Sequence, residues 1–251
     1  DASQWISYQG KTLKCNASYY WKVKIDTNKG ATNWSAPAFW TTGLFNEADW
    51  QGQWIGLDRA ALGDSETQWS RLAARYLRKE FAVKKSVKRA TVHIAGMGLY
   101  ELFINGQRIG NQVLAPAPTD YRKTILYNTY DVTSLLQTEN AIGVTLGNGR
   151  FYTMRQNYKP YKIPTFGYPK LRLNLIVEYA DGSKETIATN TSWKLTTEGP
   201  IRSNNEYDGE EYDARKELGA WSQTGYDDKN WMPAQRLSIP SAPFRPQPTP
   251  A

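Results

Sequence analysis

Apolar and polar residues alternate along much of this chain in short runs, and turn residues separate the runs. A period of two marks a strand with one buried face. Near the start, Tyr19-Tyr20-Trp21-Lys22-Val23-Lys24-Ile25 places Tyr19, Trp21, Val23 and Ile25 on one side and Lys22 and Lys24 on the other. That predicts a strand buried on the first side. Asn28-Lys29-Gly30 reads as a turn, and residues 38–42 as a last strand of this region. So few strands do not make an independent sandwich. Residues 46–50 are polar and read as a connector, and residues 57–70 as a loop.

Beyond the loop the alternation predicts strands over 74–83, 87–96, 99–104, 141–146, 170–179, 185–189 and 193–196. Asn105-Gly106, followed by Gln107-Arg108-Ile109, is a strong hairpin signal, because a type I′ turn needs positive φ at both central residues. Asp181-Gly182 turns another strand back on itself. Helical signals are few: a capped turn over 131–136 starting at Asp131, and short turns over 214–218 and 227–231. Many short strands between frequent turns predict an all-β fold, an antiparallel β-sandwich of the jelly-roll kind. Residues 240–251 are rich in proline and read as an exit linker.

Composition narrows the chemistry. The 10 Trp and 16 Tyr suit pleated sheets, and exposed rings suit flat amphipathic ligands. The net charge of +7 comes from scattered Lys and Arg without a basic run, so a nucleic-acid partner is not expected. Cys15 is the one cysteine and His93 the one histidine. An internal disulfide, a multi-cysteine zinc site and a His-rich metal cluster are thereby excluded. His93 lies in the alternating run Thr91-Val92-His93-Ile94, as an ordinary strand residue would. No G-x-S-x-G elbow is present. No apolar stretch reaches the roughly 18 residues of a membrane span, so no membrane partner is expected. No signal peptide is visible, and Asp1-Ala2-Ser3-Gln4-Trp5 reads like the interior of a longer protein.

Several phrases in order carry a resemblance. They are Trp50-x-x-x-Trp54-Ile55-Gly56, Tyr76-Leu77-Arg78-Lys79-Glu80-Phe81, and Gly96-x-Gly98-Leu99-Tyr100-Glu101-Leu102-Phe103-Ile104-Asn105-Gly106. Leu114-Ala115-Pro116, Thr119-Asp120-Tyr121 and Tyr127-Asn128-Thr129-Tyr130-Asp131-Val132-Thr133 follow. Last come Gly147-Asn148-Gly149-Arg150-Phe151-Tyr152 and Gly209-Glu210-Glu211-Tyr212-Asp213-Ala214-Arg215. Together they resemble the N-terminal β-sandwich domain of bacterial α-L-rhamnosidases, over about residues 47–240. Residues 1–46, with Tyr20-Trp21-Lys22-Val23, Trp34-Ser35 and Thr42-Gly43-Leu44, resemble the end of an immunoglobulin/fibronectin-type-III-like module. Three regions follow: a partial module at 1–46, the sandwich at 47–240, and a linker at 241–251 toward a catalytic region.

The resemblance implies a periplasmic or extracellular protein. It also implies that the two catalytic carboxylates stand in a separate (α/α)₆ barrel downstream, which would be this chain's partner. An inverting pair of that kind holds its carboxyls about 6.5–9.5 Å apart. The family's sandwich is similar to carbohydrate-binding modules, and some members bind L-rhamnose through calcium. Here that implies a calcium site at Asn111, Gln112 and Pro164. Where the family pattern has Asp-Asn, this chain has Asn111-Gln112, and two neutral amides are poorer calcium ligands than carboxylates. Rings mixed with hydrogen-bonding groups suit a sugar, so Asn111, Gln112, Asp120, Tyr121, Asn148, Arg150 and Tyr152 are the candidate carbohydrate-binding residues. The same Tyr and Asp side chains could equally buttress loops.

The acidic cluster Asp208-Gly209-Glu210-Glu211-Tyr212-Asp213 lacks EF-hand spacing. Its carboxylates are expected to accept backbone N–H bonds and to pair with Arg202 or Arg215, in preference to binding a cation or serving as a catalytic carboxylate pair. Gly147-x-Gly149 is not followed by G-K-[ST], so a phosphate loop is not expected. The sequons at Asn16, Asn33 and Asn190 read as chance matches. Two roles remain open: an accessory sugar-binding portion of an α-L-rhamnosidase, or a spacer that orients the catalytic barrel.

Overall fold

The computed structural model describes residues 7–59, 72–152, 166–207, 209–238 and 242–247. The chain divides into two compact units between Asp49 and Trp50, so residues 46–49 of the expected connector go with the first. There Glu47–Asp49 makes one 3₁₀ turn. Its Asp49 carboxylate accepts the N–H groups of Phe45 and Asn46 at 3.0 and 2.8 Å.

In the first unit β1 (Ser18–Trp21), β2 (Asp26–Thr27), β3 (Gly30–Ala31) and β4 (Ala38–Thr41) form two antiparallel pairs, β1 with β4 and β2 with β3. Tyr19 stacks on Trp40 across the first pair, ring centroids 4.8 Å apart. The strand expected over 19–25 ends at Trp21. Its intended inner face is open, with Trp21 49%, Val23 43% and Ile25 56% exposed. A two-stranded ladder has no second layer to cover that face.

The second unit contains β5 (Ile55–Gly56), β6 (Arg75–Ala82), β7 (Val87–Met97), β8 (Leu99–Ile104), β9 (Gln107–Ile109), β10 (Ile125–Asp131) and β11 (Glu139–Gly147). It continues with β12 (Lys170–Tyr179), β13 (Lys184–Ala188), β14 (Lys194–Thr196), β15 (Ile201–Asn205), β16 (Gly209–Tyr212), β17 (Met232–Pro233), β18 (Gln235–Arg236) and β19 (Phe244–Pro246). One sheet runs β18-β5-β12-β7-β10-β19, with β13 also on β12; the other runs β17-β14-β6-β11-β8-β9. All pairings within them are antiparallel except β10 with β19, which is parallel. Val92, Ile94, Leu173, Leu175 and Val177 of the first sheet meet Leu77, Leu102, Ile104, Ile142 and Val144 of the second in one buried core. The alternation along β12 is the cause, since its odd-numbered residues from Leu171 to Tyr179 all belong to that core.

The Asn105-Gly106 turn joins β8 to β9 with φ of 51° and 83°, as a type I′ hairpin requires. The turn at 131–136 is a 3₁₀ helix at Thr133–Leu135. Asp131 Oδ1 accepts the N–H of Thr133 at 2.9 Å. Asp213 caps a second, Ala214–Lys216. Residues 227–231 hold no helix; Trp231 N–H closes a turn on the carbonyl of Asp228.

Both sheets are covered on their outer faces. On the first, Asn174 accepts the Gly52 N–H at 2.8 Å, and Arg172 donates to the carbonyls of Gly52 at 2.6 Å and Trp50 at 3.1 Å. The Arg172 guanidinium lies 5.5 Å from the ring centres of both Trp50 and Phe244. The tail is therefore not a free linker over residues 242–247. Phe244–Pro246 adds a strand to β10, because an aromatic residue among the prolines finds an apolar seat against Trp50 and Trp54. On the second sheet, Trp221 and Trp231 pack over Tyr76. The buried Arg78 donates to the carbonyls of Trp221 and Gln223 and pairs with Glu80 and Asp228.

Candidate functional site

The segment between β9 and β10 carries most of the candidate residues. Its conformation is set by hydrogen bonds at several points. Tyr100 N–H donates to the carbonyl of Ala115 at 2.7 Å. Arg108 donates to the carbonyls of Gly110 at 3.3 Å and Gln112 at 2.7 Å. A polar chain runs out of the core to the same loop. Tyr100 donates its hydroxyl hydrogen to Asn128 Oδ1 at 2.7 Å and lies 3.4 Å from the Tyr130 hydroxyl. Tyr130 in turn donates to Gln112 Oε1 at 3.2 Å. Burial pushes the Tyr100 and Tyr130 hydroxyls up from their ordinary pKa, so both are protonated donors. At the far end, Gln247 accepts the Ala117 N–H at 2.9 Å, tying the loop to the C-terminal strand.

The seven carbohydrate candidates do not converge. Asn111 is exposed, while the Gln112 amide oxygen is occupied by Tyr130. Asp120 starts a turn by accepting the N–H groups of Lys123 and Thr124 at 2.8 and 3.0 Å. Its carboxylate grips Arg122 at 2.9 and 3.1 Å, and that bond holds it below the usual carboxylate range. Tyr121 is buried edge-on against Phe151 and Phe166, at 5.1 and 5.3 Å between ring centres, and burial pushes its hydroxyl up to about 12. Tyr152 is buried and stacks on Tyr168. Asn148 is buried and donates to the carbonyls of Leu72 and Asn204 at 2.8 and 2.7 Å. Tyr121, Tyr152 and Asn148 thus pack and brace, and present no free face to a sugar. Arg150 lines a cleft, paired with Glu206 at 3.0 Å.

The calcium expectation meets a poor donor set. Asn111 and Gln112 offer no carboxylate, Gln112 Oε1 is already an acceptor, and the nearby Asp120 is paired with Arg122. Pro164 lies outside the described residues. Among the described residues no group of three or more His, Cys, Asp or Glu could hold a metal ion. Calcium, which takes six to eight oxygens including carboxylates, does not fit what is present. In the acidic cluster, Asp213 clasps Arg215 at 2.8 and 2.9 Å, which lowers it to about 2. Arg202 turns instead to the carbonyls of Thr197 and Gly199.

The cleft itself was not legible in the sequence. Of about 600 Å³, it lies against β8 and β11, between the loop carrying Val113 and Leu114 and the hairpin β15–β16. Its charged rim holds two ion pairs, Arg108–Glu101 and Arg150–Glu206, each at 3.0 Å, and the exposed Glu210. Arg108 and Glu101 face each other across the β8–β9 hairpin, seven residues apart, whereas Glu206 is 56 residues from Arg150, so no local signal announces that pair.

The fold and this site define a two-sheet module with braced loops and a rimmed cleft. Residues 85–251 match the family model for the α-L-rhamnosidase N-terminal domain, and residues 1–46 match the Rha78A-like, N-terminal immunoglobulin domain. The chain belongs to the α-L-rhamnosidase N-terminal domain family. It is 38% identical over 249 residues to an α-L-rhamnosidase of Formosa agariphila, covering 91% of this chain and 26% of that protein. The structure of an α-L-rhamnosidase from Dictyoglumus thermophilum superposes with a TM-score of 0.82 at 40% identity, over 95% of this chain and 27% of that one. The α-L-rhamnosidase of Aspergillus terreus gives 0.82 at 38% identity, over 92% and 26%. The chain thus spans 26 or 27% of the length of these relatives.

Proposed function

We propose that this chain serves as the non-catalytic N-terminal portion of an α-L-rhamnosidase, a glycoside hydrolase that removes terminal L-rhamnose, and that the sandwich acts as a spacer orienting the catalytic region. One observation carries the reading. The side chains best suited to a sugar, Tyr121, Tyr152 and Asn148, are buried in packing roles. A second reading, weak carbohydrate binding, is favoured by the cleft beside Arg150 and by the exposed Asn111. Titrating L-rhamnose at millimolar concentration, with and without calcium, separates the two. The spacer gives no heat and no shift in melting temperature; saturable heat overturns it in favour of sugar binding. Hydrolysis of an aryl rhamnoside by the purified chain would overturn its non-catalytic character.

A further inference from the structure

We propose that the loop at 110–118 and the cleft beside it form the surface on which the catalytic part of the full-length rhamnosidase docks. The inference rests on the reading above that such a part exists. The loop is braced from the core, from β9 and from the C-terminal strand. Yet it holds Val113 at 81% and Leu114 at 69% exposure. Leu114 does so at φ +60°, a left-handed conformation that a residue with a Cβ enters only when its surroundings impose it. A rigid frame that pushes two neighbouring aliphatic side chains into solvent is the mark of an interaction surface.

The cleft next to them indicates the kind of partner. Leu99 and Ile201 line it together with Val113 and Leu114. Within each rim pair, Arg108–Glu101 and Arg150–Glu206, the charges cancel, and Glu210 adds a negative one, so the cleft offers no surplus positive charge to an anion. Tyr100 is the one aromatic residue in the lining, and it is buried with its hydroxyl engaged. No ring is therefore free to stack on a sugar. An apolar centre inside a charged rim is instead the composition of a protein–protein contact.

The strand order says which protein. Gln247, the last described residue, accepts the Ala117 N–H in this same loop, so the C-terminal end of the described chain is held to the loop that carries Val113 and Leu114. In the relatives about three quarters of the polypeptide lies outside the matched portion. A domain tethered at that point meets the surface at high effective concentration, so a modest apolar contact suffices to hold it.

Hydrogen exchange compares the isolated 251-residue chain with the full-length protein. Docking slows exchange at 111–118 and in β15 at least ten-fold in the full-length protein. Val113→Asp with Leu114→Asp returns those amides to the isolated rate. Because both side chains point to solvent, the double variant of the isolated chain keeps its melting temperature, and Leu114→Gly, which fits the positive φ, serves as a second probe of the same loss. Equal exchange in the two forms overturns the proposal. So does protection of the isolated chain that grows with its concentration, which points to a second copy, or that appears on adding L-rhamnose. A full-length protein that hydrolyses an aryl rhamnoside but leaves the loop unprotected overturns the docking surface and spares the proposed function. One that fails to hydrolyse it removes that reading and the docking partner together.

Discussion

Phe244 lies nearly parallel to Trp50, ring centroids 4.8 Å apart and planes 24° from each other. The first residue of the sandwich unit is thereby clasped by its last described strand. Trp54 stacks on the same ring from 5.8 Å, and Arg172 sits beside it. The outer face of the β12–β7–β10 sheet is sealed by two segments far apart in sequence.

Replacing Phe244 by Ala removes that seal. The ring is only partly buried, so the cost is that of exposing one aromatic side chain, about 2 kcal/mol. Urea denaturation of Phe244→Ala reads it as a lowered midpoint. An unchanged midpoint would mean that the tail lies loosely on the sheet.

How far the sequence foretold this arrangement depends on which force shaped each element. Where one face of a strand meets the core, periodicity is explicit, and the strand expected over 170–179 matches β12 end to end. The β8–β9 hairpin was legible because Asn105-Gly106 carries its own backbone chemistry. β10 was not, because Tyr127 and Asn128 are buried on opposite faces and erase the alternation. β19 is hidden among prolines and exists through the contact of Phe244 with residues at the other end of the unit. The candidate site was the least legible part. Tyr121 and Tyr152 have the residue type of a sugar platform, but type does not say which way a ring faces. Arg150 found its partner Glu206 between β15 and β16, a hairpin that the pattern did not predict.

Arg78 offers a second test. Its side chain is 1% exposed, while Glu80 and Asp228 are 42% and 24% exposed. The pair carboxylates can be rehydrated, but the carbonyls of Trp221 and Gln223 lose their donor when the guanidinium goes. Arg78→Met is expected to cost about 3 kcal/mol. Asp228→Asn is expected to cost about 1 kcal/mol, since the carbonyl bonds survive. Equal losses in the two variants, measured by chemical denaturation, would assign the energy to the ion pair.

Gly52 is a backbone requirement. A Cβ there would stand 2.5 Å from the carbonyl oxygen of Leu173 and 2.7 Å from the Thr189 hydroxyl. Neither can retreat easily, because the Thr189 hydroxyl bonds the Gln53 carbonyl at 2.7 Å and Asn174 holds the Gly52 N–H. Gly52→Ala is expected to lose about 2 kcal/mol through forced separation of the segment from β12. Thermal unfolding checks this, and a gain in stability of the kind a solvent-exposed Gly-to-Ala change gives would show that the close approach is absent.

His93 sets the acid limit of the fold. It is fully buried, with Nδ1 3.0 Å from the Thr129 hydroxyl and its ring edge-on to Trp50 and Tyr127. Burial, with the nearby positive charge of Arg89 adding to it, lowers its pKa from 6.5 to about 4. The folded protein keeps the imidazole neutral while the unfolded chain takes up a proton once the pH drops below 6.5. Stability contributed by neutral His93 is therefore full above about pH 6.5. It falls as pH descends toward 4, by about 3 kcal/mol in all at 1.36 kcal/mol per pKa unit. The salt-bridged Asp213, lowered to about 2, adds its loss only in more acid solution, since its proton uptake starts near the ordinary carboxylate range. The interval from pH 6.5 to 5 thus isolates the histidine. Denaturation free energies across it should slope by about 1.4 kcal/mol per pH unit at the lower end, and His93→Gln should flatten that slope while leaving the carboxylate losses below pH 4 in place. A slope that persists in the variant would place the titrating group elsewhere.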